Sequence, residues 1–221
     1  MPSSLPTTDA GVFLAFLKPT SIGRDEALED EKFALLPTAM TANVLGIKTV
    51  AQYRAANAEY EKRHLVICET EDLARVNGKQ MLKFLGGEDM GGEWDVRAYR
   101  EVEIFDLEKS DEAAKTIMVA LMQPSPTGAA DLDAWYREEH NQQMSEQPGW
   151  LRTCRYSFIS QQSSSPGGGG GSQELSFLAI HEFGEGEQLG DAVKALDPIS
   201  EWTAKVMNDA VGIDAAIYRR V

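Results

Sequence analysis

His140 closes the stretch AWYREEH, where Leu132, Trp135, Tyr136 and His140 fall at i, i+3, i+4 and i+8, the spacing of one helical face. A histidine there can act as a general acid or base near neutral pH, the task in enolisation, aldol closure or decarboxylation of a polyphenol. The same placement suits a core histidine bonded to backbone. Glu139 lies about 100° around the helix from its neighbour and reads as a solvated carboxylate.

Further on, Trp150, Arg152, Cys154, Tyr156 and Phe158 alternate onto one strand face, with Leu151, Thr153, Arg155 and Ser157 on the other. Aromatic walls with one cation and one hydroxyl suit a planar anionic or phenolic ligand. Equally, Trp150 and Phe158 are core and Arg152 meets a surface carboxylate. His181 shares a strand face with Phe177, Ala179 and Phe183 and is expected to be buried, either structurally or as the second half of an acid/base pair with His140. Tyr218 is a hydrogen-bond donor for a developing enolate, ranked below Tyr156. His64, preceded by Glu61, Lys62 and Arg63, reads as solvated.

The catalytic candidates are therefore His140, Tyr156 and His181, and the substrate-binding candidates are Trp135, Tyr136, Trp150, Arg152, Phe158 and Tyr218. No metal or other cofactor is expected. The three histidines lack ligand spacing, no nucleotide-binding motif occurs, and Gly167 to Gly171 is compositional rather than a phosphate loop. Cys68 and Cys154 lie far apart without CxxC spacing and read as small apolar strand residues.

The elements that carry these residues occur twice. VFLAFLKPTS from Val12 matches IMVALMQPSP from Ile117, each a buried first strand ended by proline. An acidic helical stretch follows in both halves and sets Glu31 over Glu139. GIKTVAQYRAA from Gly46 then matches GWLRTCRYSFI from Gly149, and HLVICET from His64 matches FLAIHEF from Phe177, placing Cys68 over His181. Helices are expected over 72–85 and, interrupted by Pro198, over 189–210. AYREV and IYRRV close the two halves and pair Tyr99 with Tyr218, an equivalence that favours a structural role for both.

The order β-α-β-β-α-β is the ferredoxin-like unit, so the fold class is α+β with two tandem repeats, residues 1–108 and 115–221, meeting in the charged run at 106–115. The first strands are apolar on both faces. Each repeat's sheet thus needs cover that the other supplies, closing an intramolecular barrel with a pocket between the sheets. The Gly/Ser-rich run at 160–172 reads as a flexible hairpin loop.

A net charge of −14 argues against nucleic acid. No stretch approaches 18 uninterrupted apolar residues, and MPSSLPTTDAG lacks the pattern of a secretory signal, so no membrane partner and a cytoplasmic location are expected.

The stretch from Ala134 to Phe158, with Trp-Tyr-x-x-Glu-His, Pro-Gly-Trp and a strand bearing Arg and Tyr, resembles fungal EthD-like proteins of the dimeric α+β barrel superfamily. FLAIHEF and IYRRV resemble that family's third and fourth strands, so the likeness spans nearly the whole chain. Relatives include decarboxylases, polyketide cyclases, cofactor-free monooxygenases, isomerases and haem enzymes, so the fold does not choose the chemistry. The resemblance implies a role for His140. Lys32 stands at its place in the first repeat, which implies one working site, in the second half.

The expected activity is a cofactor-independent lyase, cyclase or isomerase acting on a polyketide-like or aromatic secondary metabolite through acid–base chemistry. The alternative is a non-catalytic barrel that binds an apolar small molecule, with a haem-binding barrel a distant third. Tandem fusion supplies both halves of the barrel, so either a monomer or a homodimer is expected.

Overall fold

The computed structural model describes residues 9–19, 26–87, 92–107, 112–165 and 175–221. The first unit runs β1 (Gly11–Pro19), α1 (Glu26–Asn43), β2 (Thr49–Ala55), β3 (His64–Thr70), α2 (Gly78–Gly87) and β4 (Gly92–Phe105). The second runs β5 (Thr116–Gln123), α3 (Ala129–Trp135), a π-helical turn (Tyr136–His140), α4 (Asn141–Ser145), β6 (Trp150–Ser163), β7 (Phe177–Phe183), α5 (Glu201–Asp209) and β8 (Gly212–Arg220).

The strands close an antiparallel barrel in the order β1-β3-β2-β8-β5-β7-β6-β4. Within each unit the order is fourth, first, third, second strand, the ferredoxin-like arrangement. Two seams join the units. One pairs Tyr53 with Arg220 on β2 and β8, and the longer one runs from Asp95 opposite Ser163 to Phe105 opposite Thr153 on β4 and β6.

β1 shows why both faces of the first strands are apolar. Val12, Leu14 and Phe16 point into the barrel, while Phe13, Ala15 and Leu17 pack under α1 and α2 with Phe33, Met40, Met81 and Leu85. Among the described residues the expected pocket between the two sheets is not present as a ligand-sized space. Tyr53, Tyr99, Tyr156 and Tyr218 fill the interior together with strand leucines and isoleucines, and an eight-stranded barrel is only just wide enough for its own side chains. What remains there is a space of about 40 Å³ beside Glu69 and Glu182.

The helix expected over 72–85 is split. Asp72 accepts a hydrogen bond from the Ala74 N–H and caps a short 3₁₀ turn (Leu73–Arg75), and Asn77 Oδ1 accepts from the N–H groups of Lys79 and Gln80 to start α2 afresh. The helix expected over 189–210 is helical only in α5, whose N-terminus is capped by Ser200 accepting from the Thr203 N–H. Residues 184–200 form an irregular loop in which Gly190 takes a positive φ of 72°. Of the loop expected over 160–172, residues 160–163 belong to β6 and residues 166–172 lie outside the described ones.

Candidate active site

On the outer face of the second unit, β5, β7 and β8 pack only in part against their helices, Met122 and Ala179 meeting Leu132, Trp135, Tyr136 and Val206. A cavity of about 420 Å³ opens between the sheet, the α3–α4 segment, α5 and the 184–200 loop. In the first unit the corresponding sheet positions carry Phe13, Leu17, Cys68 and Trp94, each at most 3% exposed and packed tight. Their counterparts by repeat register are Met118, Met122, His181 and Ile213, and all four line the cavity. Smaller and more flexible side chains leave room, and a histidine replaces a cysteine.

His140 reaches this space because the helix widens. The Asn141 N–H bonds back to the Tyr136 carbonyl, an i→i+5 bond. Residues five apart on a regular α-helix stand about 140° apart around the axis. Here Trp135 and His140 stack instead, with ring centroids at 4.1 Å and planes at 17°. Tyr136 meets the same imidazole edge-on at 5.3 Å. Glu139 is not the free carboxylate its helical position suggests. It accepts hydrogen bonds from Ser200 and, at 3.0 Å, from Thr203, whose hydroxyl in turn accepts from Trp135 Nε1 at 3.1 Å. The Ser200 bond leads in holding its pKa below the usual carboxylate range. This clasp ties the π turn to the start of α5.

His181 stands across from His140, centroids 5.4 Å apart and planes at 85°. Its Nδ1 lies 2.9 Å from Thr153 Oγ1, which accepts a hydrogen bond from Trp150 Nε1 at 3.2 Å. Removal from water pushes His140 down to about 4, against small upward pulls from Gln143 and Glu139. Fully buried His181 lies well below its ordinary 6.5, through desolvation and then the neighbouring imidazole. Both rings are therefore neutral at pH 7. Among the described residues His140 Nδ1 and His181 Nε2 are buried without a hydrogen-bond partner within 3.5 Å, Gln143 acting on the His140 ring from farther off, an arrangement that costs free energy unless something else meets them.

The sequence candidates divide between two places. His140, His181, Trp135 and Tyr136 line the cavity. Trp150 backs it, because a bulge between Trp150 and Arg152 turns the indole to the outer side beside Phe183. Arg152, Tyr156, Phe158 and Tyr218 do not line the cavity. Arg152 forms an ion pair with Glu182 at 2.7 Å, Tyr156 is buried in the barrel interior, Phe158 packs edge-on to Tyr99 at 5.7 Å, and the Tyr218 hydroxyl donates to the Lys62 carbonyl at 3.0 Å.

His64 is buried rather than solvated. α1 lays Phe33 over its ring at 4.7 Å, and desolvation lowers its pKa to about 4. Arg155, behind Tyr136, is engaged by Glu103 at 2.8 Å and Asp133 at 3.0 Å.

Two parts of the site carried no signal in the sequence reading. Thr153 fell on the strand face opposite the one chosen, and the 184–200 loop was expected to be partly helical. Among the described residues no group of three His, Cys, Asp or Glu could hold a metal ion, and no helix is long and apolar enough to cross a membrane.

No protein-family model matches the sequence, and no curated protein does. Solved structures do match in shape. An anthrone oxidase-like protein superposes with a TM-score of 0.62 at 10% identity, covering 98% of this chain and 92% of that one. A candidate monooxygenase from Fusobacterium nucleatum gives 0.56 at 7% identity, covering 96% and 92%, and one from Lactobacillus acidophilus gives 0.52 at 9% identity, covering 96% and 94%. Likenesses at such low identity carry the fold alone, and the fold this chain shares with them is the α+β barrel.

Proposed function

We propose that the protein is an acid–base enzyme for a neutral, planar, enolisable aromatic compound of the polyketide type, an anthrone or a polyphenol, needing no cofactor. The observation that carries this reading is the pair of neutral imidazoles, each with a buried nitrogen lacking a hydrogen-bond partner among the described residues, in a mostly apolar cavity.

His140 accepts a proton from the acidic carbon or hydroxyl of the ligand, the bonding pair moves onto the ring carbonyl, and the His181 N–H stabilises the oxyanion. Return of the proton to another carbon completes an isomerisation, and attack of the enolate carbon on an internal carbonyl completes a cyclisation. For an anthrone, the same carbanion reacts with dioxygen to give the quinone and water, a reaction in keeping with the names of the matched structures.

The cavity walls support a neutral substrate. Met118, Met122, Met144 and Met207 offer soft surfaces to an aromatic plane. Among the described lining residues the cation is Lys194, on the exposed loop, and Arg152 is engaged elsewhere. A carboxylate held away from that loop would enter without a counter-ion at a large desolvation cost, which weighs against decarboxylation.

One observation favours a second reading, ligand storage without chemistry: an imidazole with a pKa of about 4 is a weak base. A developing enolate beside it favours the imidazolium and raises that value as the proton moves.

Mass-spectrometric turnover of anthrones, polyphenols and matching aromatic acids tests the proposal, with folding verified by circular dichroism. Conversion of the neutral compounds, with a loss of about 100-fold or more in His140→Gln, supports it. Binding without conversion supports the storage reading, and preferential conversion of the acids contradicts the proposed substrate class.

A further inference from the structure

We infer that Thr153 is a positioning residue that fixes His181 in its Nε2–H tautomer, so that the imidazole offers a donor, not an acceptor, to a carbonyl or phenolate oxygen in the cavity. The donor role rests on the function proposed above. The tautomer rests on hydrogen-bond geometry alone.

Thr153 is fully buried, at 0% exposure. An indole N–H can only donate, so Thr153 Oγ1 accepts from Trp150. The hydroxyl proton then needs an acceptor of its own, and the one within reach is His181 Nδ1 at 2.9 Å. A neutral imidazole that accepts at Nδ1 carries its proton on Nε2. That nitrogen has no hydrogen-bond partner among the described residues. The chain from Trp150 through Thr153 to His181 thus runs in one direction and ends at a buried nitrogen of a ring that lines the cavity.

The first repeat provides an internal control. Thr153 faces His181 across β6 and β7, and the same register on β2 and β3 sets Val50 opposite Cys68. The repeat offset that pairs Val50 with Thr153 also pairs Ile47 with Trp150. All three polar members of the chain are thus apolar or weakly polar in the unit whose sheet–helix space is filled. The fold does not require Thr, His and Trp at these positions, because the first unit builds the same strands without them.

The test combines a spectrum and a rate. Nitrogen-15 NMR of histidine-labelled, ligand-free protein at pH 7, with His181 assigned by the loss of its signals in His181→Gln, reports the tautomer directly. A single Nε2–H form in the wild type and in Thr153→Ser is expected, with a mixed population in Thr153→Val. Toward anthrone, Thr153→Val lowers kcat about tenfold, short of the roughly 10²-fold cost of losing a donor outright, with KM little changed and Thr153→Ser restoring the rate. A proton on Nδ1 in the wild type overturns the inference, as does a folded Thr153→Val protein with undiminished kcat. If the wild type converts no anthrone, the enolisation reading fails while the spectrum still decides the role of Thr153.

Discussion

A buried imidazole in a mostly apolar cavity gives up charge before it gives up its place, and on the proposed function that sets how the two histidines work together. With His140 near 4 and His181 well below its ordinary value, neither is protonated at neutral pH, so one can accept a proton while the other donates a hydrogen bond without mutual repulsion. The base form of His140 is lost only as pH falls through about 4. The pH profile of kcat/KM is therefore expected to stay level from pH 8 down to about 5, without the decline near 6.5 that a solvated histidine produces. A pH titration of turnover checks this. His140, His181, Trp135 and Tyr136 were legible in the sequence because chemistry-bearing residue types fell on apolar faces. Arg152 and Tyr156 looked equally suitable, but strand alternation names two faces without saying which one meets a cavity. The ion pair of Arg152 with Glu182 depends on a strand that only folding brings alongside.

At the scale of elements, the site depends on two local irregularities that periodicity does not reveal. The π turn moves His140 over Trp135, and the bulge after Trp150 turns its indole toward Thr153. Deleting the exposed Glu138 would set the imidazole four places after Trp135, about 40° around a regular α-helix, so the two rings should stay on one face and turnover should persist, with helix content by circular dichroism unchanged. The Ser200 clasp is expected to act on stability as well as geometry. Ser200→Ala removes both the α5 cap and a partner of Glu139, at a cost of about 1 kcal/mol. For a chain of this length that lowers Tm by about 2–4 °C, as differential scanning calorimetry would show. Helix lengths were misread where side-chain caps stop one turn and start another, as at Asp72 and Asn77.

For the whole molecule, duplication was the most legible feature, because five segments match in order and each unit of the ferredoxin-like fold requires that order. The filled interior was not legible. It follows from the volume of four tyrosines converging from different strands, and their distances in sequence give no measure of that volume. One unit keeps its sheet–helix space packed while the other opens a cavity there, and on the proposed function the first repeat supports the site through the barrel seams. All three histidines have folded-state pKa values below 6.5. Between about pH 4 and 6.5 the unfolded chain therefore binds more protons than the folded one, and stability should fall as pH drops through that window. Urea midpoints at pH 7 and pH 5 would show the decline, and His64→Phe should lessen it without touching the cavity.

A working site between sheet and helices of the second unit, rather than inside the barrel, is distinguished by comparing kcat/KM for anthrone in His140→Gln and Tyr156→Phe, both verified as folded. The account predicts a loss of about 100-fold or more in the first and a value close to wild type in the second. A large loss in Tyr156→Phe with His140→Gln unaffected would move the chemistry into the barrel interior and contradict it.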